Sequence, residues 1–372
     1  MSPADRKQHG PIHYGDYLQL GKLLGAQQLE STRYGEPAHD EMLFIITHQA
    51  YELWFKQIVH ELRAVVGIFQ QPQVEEAAMG RVLHLLERVR VIQGLLLQQI
   101  DVIETMTPLD FLEFRDLLVP ASGFQSLQFK EVEILLGVRR SDRIPADRDF
   151  FYTRLRDAER AELEQLESQP SLLELTESWL ARMPFLNFKE FDFWQQYQSA
   201  TDQMLERDRQ IVQDNPALSE QQRELQLMTI DQTKQRFAAV ADRSYYQELR
   251  EAGEFRFSHQ AFLAALFIHL YRDHPLLYLP FRYLTLLVEI DEALTNWRTR
   301  HALMVQRMLG RKIGTGGSSG HDYLSKTTQA NRVFLDLYSL STFLVRRSDL
   351  PKLPDGLVSA LGYHFTGRDG LG

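Results

Sequence analysis

The sequence predicts an all-α fold, and three observations carry that prediction. Apolar residues recur at three- and four-residue steps over long stretches, which is the period of a helix with one buried face. Alternating patterns typical of strands are sparse. No internal repeat is visible, which argues against a solenoid or a propeller. We therefore expect helices that pack on helices around one large core or two smaller ones.

The first long helix is predicted over Glu41–Phe69, where the apolar period is regular and Asp40 is a plausible N-cap. A second helix is predicted over Val82–Ile103 and should pack beside the first. Thr107 then gives a start signal, because a capping hydroxyl precedes a proline at the first helical position and an acid in the first turn. This short helix should end near Pro120.

The composition changes in the middle of the chain. Between Arg140 and Glu254 the residues Glu, Gln and Arg dominate, which is typical of solvated helical faces. An apolar helical region resumes at Gln260, and the prolines at 275 and 280 should punctuate it. A helix is then predicted from Phe281 to Leu309. The middle region is therefore predicted to be a peripheral helical lobe.

Charge and composition exclude several function classes. The chain has 41 Lys and Arg against 50 Asp and Glu, a net charge of -9, and such a field repels phosphate backbones and anionic membranes. It has no cysteine, which removes disulfide scaffolds, thiolate nucleophiles, zinc fingers, iron–sulfur clusters and thiolate-ligated haem. Any metal chemistry must use His, Asp or Glu.

The polar start of the chain, residues 1–13, has no apolar run of signal-peptide length, and we expect it to be a mobile tail. The longest apolar region, near Pro275–Ile290, is interrupted by charges and is too short to span a bilayer. A cytoplasmic location is the expectation that follows.

His48 is the first candidate for chemistry. It follows Phe44 by one helical turn and precedes Tyr51 and Phe55 on an aromatic face. Such an imidazole is either a satisfied core histidine or a polar point in an apolar pocket, where it could exchange a hydrogen bond with a ligand. The helix alone leaves both interpretations open.

Arg115 is the second candidate, since it shares a helical face with Phe111 at a spacing of four residues. A planar guanidinium among phenylalanines suits a carboxylate held by two hydrogen bonds, but a snorkelling surface arginine would give the same pattern. The turn-rich stretch Pro120–Ser126 follows, and the hydroxyl groups within it, including that of Ser122, could reach an anion.

His301 is the third candidate, near the end of the apolar helix that closes at Leu309. A haem iron needs one strong axial imidazole, and a single helical histidine would supply it. Many core histidines in ordinary proteins have the same spacing, so this pattern does not decide between the two.

Gly310 is a natural C-cap, and the glycine-rich loop Gly314–Gly320 follows it. The loop follows a helix and contains no lysine, so it does not match a phosphate-binding P-loop. Its free N–H groups and the hydroxyl of Thr315 could instead contact a small zwitterion, unless the loop is only a flexible surface connection.

Three stretches together resemble the signatures of the tryptophan 2,3-dioxygenase family. The first is His39–Lys56, the second runs from Phe114 to Phe129, and the third combines Trp297–Gly310 with the glycine-rich loop. They are long, they occur in the family's order, and the resemblance extends from about Tyr14 to Leu353. The middle of the chain is the loosest match.

The resemblance implies haem b with His301 as its proximal ligand and His48 on the distal side, facing the indole N–H. It implies that Arg115 clamps the substrate carboxylate and that Thr315 contacts the ammonium and carboxylate groups. The other substrate-binding and haem-binding positions that it implies are Phe44, Ile45, Ile46, Thr47, Phe111, Leu118 and Gly314 for the substrate, and Ser122 and Trp297 for the cofactor.

The resemblance also implies a homotetramer in which Tyr14 and Tyr17 reach a neighbouring subunit. The expected division of one haem domain is a tail over 1–13, distal-side and substrate-binding helices over 14–140, a peripheral helical lobe inserted over 141–255, and the proximal helix, glycine-rich loop and C-terminal helices over 256–372.

The implied reaction opens the indole C2–C3 bond of L-tryptophan with O2 to give N-formyl-L-kynurenine, the first step of tryptophan catabolism by the kynurenine route. Rival hypotheses are a related dioxygenase for another indole, a haem sensor or carrier without catalysis, and a helical scaffold without cofactor.

Overall fold

The computed structural model describes residues 11–144, 148, 151–189, 191–310, 324, 326–328 and 330–362. Within these residues the fold is all-α, as predicted. The helices that position the site are α4 (Glu41–Phe69), α5 (Glu76–Ile103), α6 (Pro108–Arg115), α7 (Leu127–Leu136), α13 (His259–Leu270) and α14 (Pro275–Leu309). The remaining helices are α1 (Tyr14–Tyr17), α2 (Leu20–Leu23), α3 (Glu30–Arg33), α8 (Asp157–Glu167), α9 (Leu172–Leu180), α10 (Phe193–Asp214), α11 (Glu220–Ala241), α12 (Arg243–Glu251), α15 (Leu335–Ser339) and α16 (Asp355–Ala360).

Short elements complete the described part of the chain. The 3-10 turns are Asp116–Leu118, Gly123–Gln125, Arg140–Asp142, Pro184–Leu186, Leu340–Phe343 and Arg347–Asp349. One two-stranded antiparallel ribbon pairs β1 (Asn187–Phe188) with β2 (Phe191–Asp192), so that Phe188 lies opposite Phe191. Among the described helices, none has the length and apolarity that a bilayer crossing requires.

The centre of the molecule is a layer of three long helices, in which α5 packs against both α4 and α14. Their apolar faces supply the most deeply buried side chains, such as Leu62, Leu86 and Leu287, each with no exposed surface. Burying one such side chain contributes roughly 1.5–3 kcal/mol. The regular three- and four-residue spacing of these residues is the reason that the chain is helical here.

The predicted helix Glu41–Phe69 is confirmed to the residue, but Asp40 makes no side-chain capping bond. The carboxylate of Glu41 instead accepts hydrogen bonds from the backbone N–H groups of Glu30 (2.8 Å) and Ser31 (3.0 Å). The start of α4 is therefore fixed against α3 by a tertiary contact, which the local sequence did not indicate.

Two predicted helix starts were too late. Helix α5 begins at Glu76, six residues before the predicted start at Val82. Helix α14 begins at Pro275 and continues through Pro280, which was expected to interrupt it. The missing N–H of Pro280 is tolerated because Leu277 and Tyr283, on either side, are buried in the core and hold the helix in place.

The charged middle region contributes to the main core. Leu172 of α9 has no exposed surface, and Thr176 of the same helix lies 2.6 Å from the hydroxyl of Tyr283 on α14. Helices α10 and α11 pack on each other as a hairpin farther along the chain. The boundary of a separate lobe at 141–255 stays a prediction, as does the mobile tail, most of which lies outside the described residues.

Candidate active site

A cavity of about 280 Å³ lies between α4, α5, α6, α7 and α14. Its wall is mainly apolar and aromatic, with a few polar groups among them, which is the usual composition of a site for a small molecule or cofactor. Side chains from helices that are distant in sequence meet here, so the cavity exists only in the packed bundle.

Helix α4 contributes Phe44, Thr47 and His48 to the wall. Nδ1 of His48 lies 2.7 Å from the carbonyl oxygen of Phe44. A carbonyl oxygen can only accept, so Nδ1 carries the proton and Nε2 is left as an acceptor. The ring of His48 lines the cavity. Desolvation by the surrounding protein lowers the pKa of His48, and it outweighs the Phe44 carbonyl and Glu52, which both act to raise that pKa. His48 is therefore a neutral acceptor near neutral pH.

Phe44 is the centre of an aromatic cluster on the cavity wall. Its ring centroid lies 4.1 Å from that of His48, 5.6 Å from that of Phe111 and 5.5 Å from that of Phe114. The last two rings come from α6 and meet edge to face at 5.4 Å. Such contacts hold flat apolar surfaces in fixed orientations, which suits a flat ligand.

Helix α6 owes its start to the predicted cap. The hydroxyl of Thr107 accepts from the backbone N–H of Asp110, and the Asp110 carboxylate accepts from the N–H of Thr107 at 2.9 Å. The capping box sets the register of the helix, which places Phe111 and Arg115 in the cavity wall. Leu118 and Ser122 follow in the next turns and line the same cavity.

His301 lines the cavity from α14. Its Nδ1 atom is buried and has no hydrogen-bond partner in the part of the chain that the structure describes. Desolvation, with a smaller contribution from His48, lowers the pKa of His301 to about 4. The imidazole is therefore neutral at physiological pH, and a neutral imidazole has one unprotonated ring nitrogen that can bind a metal.

The structure thus brings nine of the predicted site residues together in one cavity. They are Phe44, Thr47, His48, Phe111, Arg115, Leu118, Ser122, Trp297 and His301. Ile45 and Ile46 are not among the described residues that line it, and Ile46 is 49% exposed. Tyr14 and Tyr17 lie on the exposed helix α1, and Gly314 and Thr315 lie outside the described residues.

Several residues of the wall were not singled out from the sequence. Lys130 and Glu133 lie on the part of α7 that is buried, from Lys130 to Leu136, and Arg298 and Asn331 donate hydrogen bonds to Glu133 there. The available signal was a lysine and a glutamate three residues apart in a helix that ends in an apolar run and also contains Gln128 and Glu131. Among the described residues, no group of three or more His, Asp or Glu side chains could hold a bare metal ion.

Comparison with known proteins agrees with this arrangement. A profile of the tryptophan 2,3-dioxygenase family matches residues 2–344. The tryptophan 2,3-dioxygenase of Alteromonas mediterranea is 52% identical over 360 residues, which cover 97% of this chain and 99% of that protein. The Bdellovibrio bacteriovorus protein of the same name is 47% identical over 96% of this chain and 100% of its own length, and the Xenopus laevis protein is 43% identical over 94% and 86%. A match of this extent, on a chain that gathers the expected residues into one cavity, shows that the protein belongs to the tryptophan 2,3-dioxygenase family.

Proposed function

We propose that this chain is a haem-dependent dioxygenase that opens the indole C2–C3 bond of L-tryptophan with O2 and gives N-formyl-L-kynurenine. The observation that carries the proposal is the pair of neutral histidines, His48 and His301, in one largely apolar cavity that also contains Arg115. The names of the relatives support the same reaction.

The residues fit a haem. Nδ1 of His301 is buried without a hydrogen-bond partner among the described residues, and the ring is kept neutral, so this imidazole would hold the haem iron through an unprotonated nitrogen. Trp297 and the aromatic wall would pack against the porphyrin, and Ser122 would lie near a propionate. When bound, haem supplies the redox-active iron on which the chemistry of O2 depends.

The remaining wall suits an intact tryptophan. Arg115 lies on the cavity wall together with Phe44, Phe111 and Leu118, and its planar fork matches a carboxylate. Nε2 of His48 is left as an acceptor by the bond from Nδ1 to Phe44, so it can accept from the indole N–H. Phe44 and Phe111, stacked on each other at 5.6 Å, provide a flat apolar surface against which an indole ring would lie.

The protein's own part in the reaction is orientation and exclusion of water. Nε2 of the neutral His48 would accept a hydrogen bond from the indole N–H and so hold the indole ring. This role does not require His48 to remove the indole proton. The aromatic wall keeps water from the reacting ring. Thr315 and Gly314 are proposed to contact the amino-acid end of the substrate.

The deciding experiment is an optical and isotopic assay of the purified protein. After hemin is supplied, the ferrous protein should show a Soret band that L-tryptophan shifts. In air it should form N-formyl-L-kynurenine, with both atoms of 18O2 in the product. A protein that stays colourless after hemin is supplied, or a product with one labelled oxygen atom, would refute the proposal.

We also propose that the protein is a homotetramer in which the N-terminal segment contacts a neighbouring subunit. Tyr14 is 73% exposed and Tyr17 71%, and Leu24 is 71% exposed in the same segment. Large apolar side chains that are exposed together often mark an interface. Sedimentation equilibrium should give the mass of four chains for the wild type. The double variant Tyr14→Ser and Tyr17→Ser should dissociate more readily. A wild-type protein with the mass of one chain would contradict the proposal.

A further inference from the structure

Four side chains of the cavity wall form a buried charged cluster that the reaction outlined above does not use. We call Lys130, Glu133, Arg298 and Asn331 the Glu133 cluster, and all four line the cavity. Their exposed fractions are 5%, 1%, 3% and 2%. Charged groups are rarely buried this deeply, because the loss of hydration has to be offset by strong pairing.

Glu133 is the centre of the cluster. Its Oε2 accepts a hydrogen bond from Nζ of Lys130 at 2.8 Å. Its Oε1 accepts from Nη2 of Arg298 at 2.6 Å and from Nδ2 of Asn331 at 3.0 Å. Burial by itself would raise the pKa of Glu133, but Lys130, Arg298 and also Arg143 hold it well below its ordinary value. The carboxylate is therefore charged, and the cluster combines two cations with one anion.

The cluster joins three parts of the chain around the cavity. Lys130 and Glu133 belong to α7, and Arg298 precedes His301 on α14 by three residues, so the two side chains lie on neighbouring positions of one helical face. Asn331 belongs to the segment after the glycine-rich loop, and its carbonyl oxygen accepts from Nη1 of Arg298 at 3.3 Å. The charge of the cluster is thus held close to the proposed iron ligand.

Building on the proposed haem function, we propose that Glu133 is a positioning residue that fixes Lys130 and Arg298 at the cavity wall and, through the net charge of the cluster, tunes the reduction potential of the haem. The physical basis is simple electrostatics. Ferric iron carries one more positive charge than ferrous iron, so each positive charge added nearby favours the ferrous form, and each one removed favours the ferric form.

Two substitutions change the net charge of the Glu133 cluster in opposite directions, and each one nearly preserves the shape of the side chain that it replaces. Glu133→Gln removes the anion but retains an oxygen that can accept from Arg298 or Asn331. Lys130→Met removes a cation and retains an unbranched side chain of similar length. The double variant has the same net charge as the wild type.

The experiment is a spectroelectrochemical titration of the haem-loaded protein. Glu133→Gln should shift the midpoint potential to more positive values, Lys130→Met to more negative values, and the double variant should return towards the wild type. For two unit charges separated by roughly 10 Å in a medium of effective dielectric constant about 20, Coulomb's law gives a change in the ferrous-to-ferric ratio, at a fixed solution potential, on the order of tenfold.

Glu61→Gln is the matched control. Glu61 is also a buried carboxylate, 2% exposed and paired with Arg88 at 2.7 Å, but it is not among the described residues that line the cavity. Its substitution should destabilise the fold without moving the potential.

Unchanged potentials in folded Glu133→Gln and Lys130→Met, or shifts of both in the same direction, would overturn the inference and leave the cluster a purely structural one. If Glu133→Gln does not fold, the sign of the Lys130→Met shift decides: a negative shift supports the inference, and no shift or a positive shift overturns it. A wild-type protein without a Soret band would instead overturn the proposed function, and this inference with it.

Discussion

The imidazole of His301 lies parallel to the indole of Trp297, with the ring centroids 5.2 Å apart and an interplanar angle of 11°. Trp297 is one helical turn earlier on α14, and its own ring contacts Phe129 at 5.2 Å and Phe55 at 6.2 Å. The described residues offer Nδ1 of His301 no hydrogen-bond partner, so within them the imidazole is oriented by aromatic packing.

The first prediction concerns that ligand. His301→Ala should abolish stable haem retention, because the other imidazole among the described residues of the wall, that of His48, comes from a different helix, α4. The Soret absorbance per chain after gel filtration measures this directly. His269→Ala is the control. His269 is also a desolvated histidine with a lowered pKa, and its Nδ1 lies 2.8 Å from the carbonyl oxygen of Ala265. It belongs to α13 and is not among the described residues of the cavity wall. Full haem content and turnover in His301→Ala would reject the assignment.

The second prediction concerns Arg115. Arg115→Ala should raise the KM for L-tryptophan roughly 10- to 150-fold, because a lost hydrogen bond between charged groups costs about 1.5–3 kcal/mol. Steady-state kinetics measure the change. Tryptamine is the internal control, since it lacks the carboxylate and its turnover should therefore respond little to the substitution. An unchanged KM for L-tryptophan would mean that the carboxylate binds elsewhere.

The third prediction concerns the acid stability of the haem-free protein. The pKa of His301 is about 4 in the folded chain and 6.5 ordinarily, so between these values the unfolded chain binds a proton that the folded chain does not. The free energy of unfolding should therefore fall as the pH falls from 6.5 to about 4, with about 3 kcal/mol from this group.

Urea unfolding of the wild type and of His301→Gln, both without haem, checks this. All other titrating groups are common to the two proteins, so the difference between their curves isolates His301. The wild type should lose more stability than the variant as the pH is lowered. Parallel curves over the whole range would show that His301 does not become charged on unfolding.

The fourth prediction concerns the capping box of α6. Thr107→Ala should lower the free energy of unfolding by about 0.5–2 kcal/mol and should also raise the KM, because this cap fixes the helix that carries Arg115. Ser219→Ala removes an equivalent capping box on α11, far from the cavity in sequence and outside its described wall. It should reduce stability by a similar amount and leave the KM unchanged, and an equal effect of both variants on the KM would contradict this reasoning.

The local elements were determined by the sequence itself. The limits of α4 followed from the regular apolar period, and the start of α6 from Thr107, Pro108 and an acid in the first turn. Both signals act over a few residues, so they need no knowledge of the partner helices. The motifs around His48, Arg115 and His301 were equally local, and each one alone left a structural interpretation open.

The tertiary structure decided which of these residues meet and in what state. It placed side chains of α4 and α14 in the wall of one cavity, and it showed that α14 continues through Pro280. It also placed Lys130, Glu133 and Arg298 in one cluster. Burial, lowered histidine pKa values and charge pairing depend on contacts between segments far apart in the chain. The local spacing of apolar residues cannot predict such contacts.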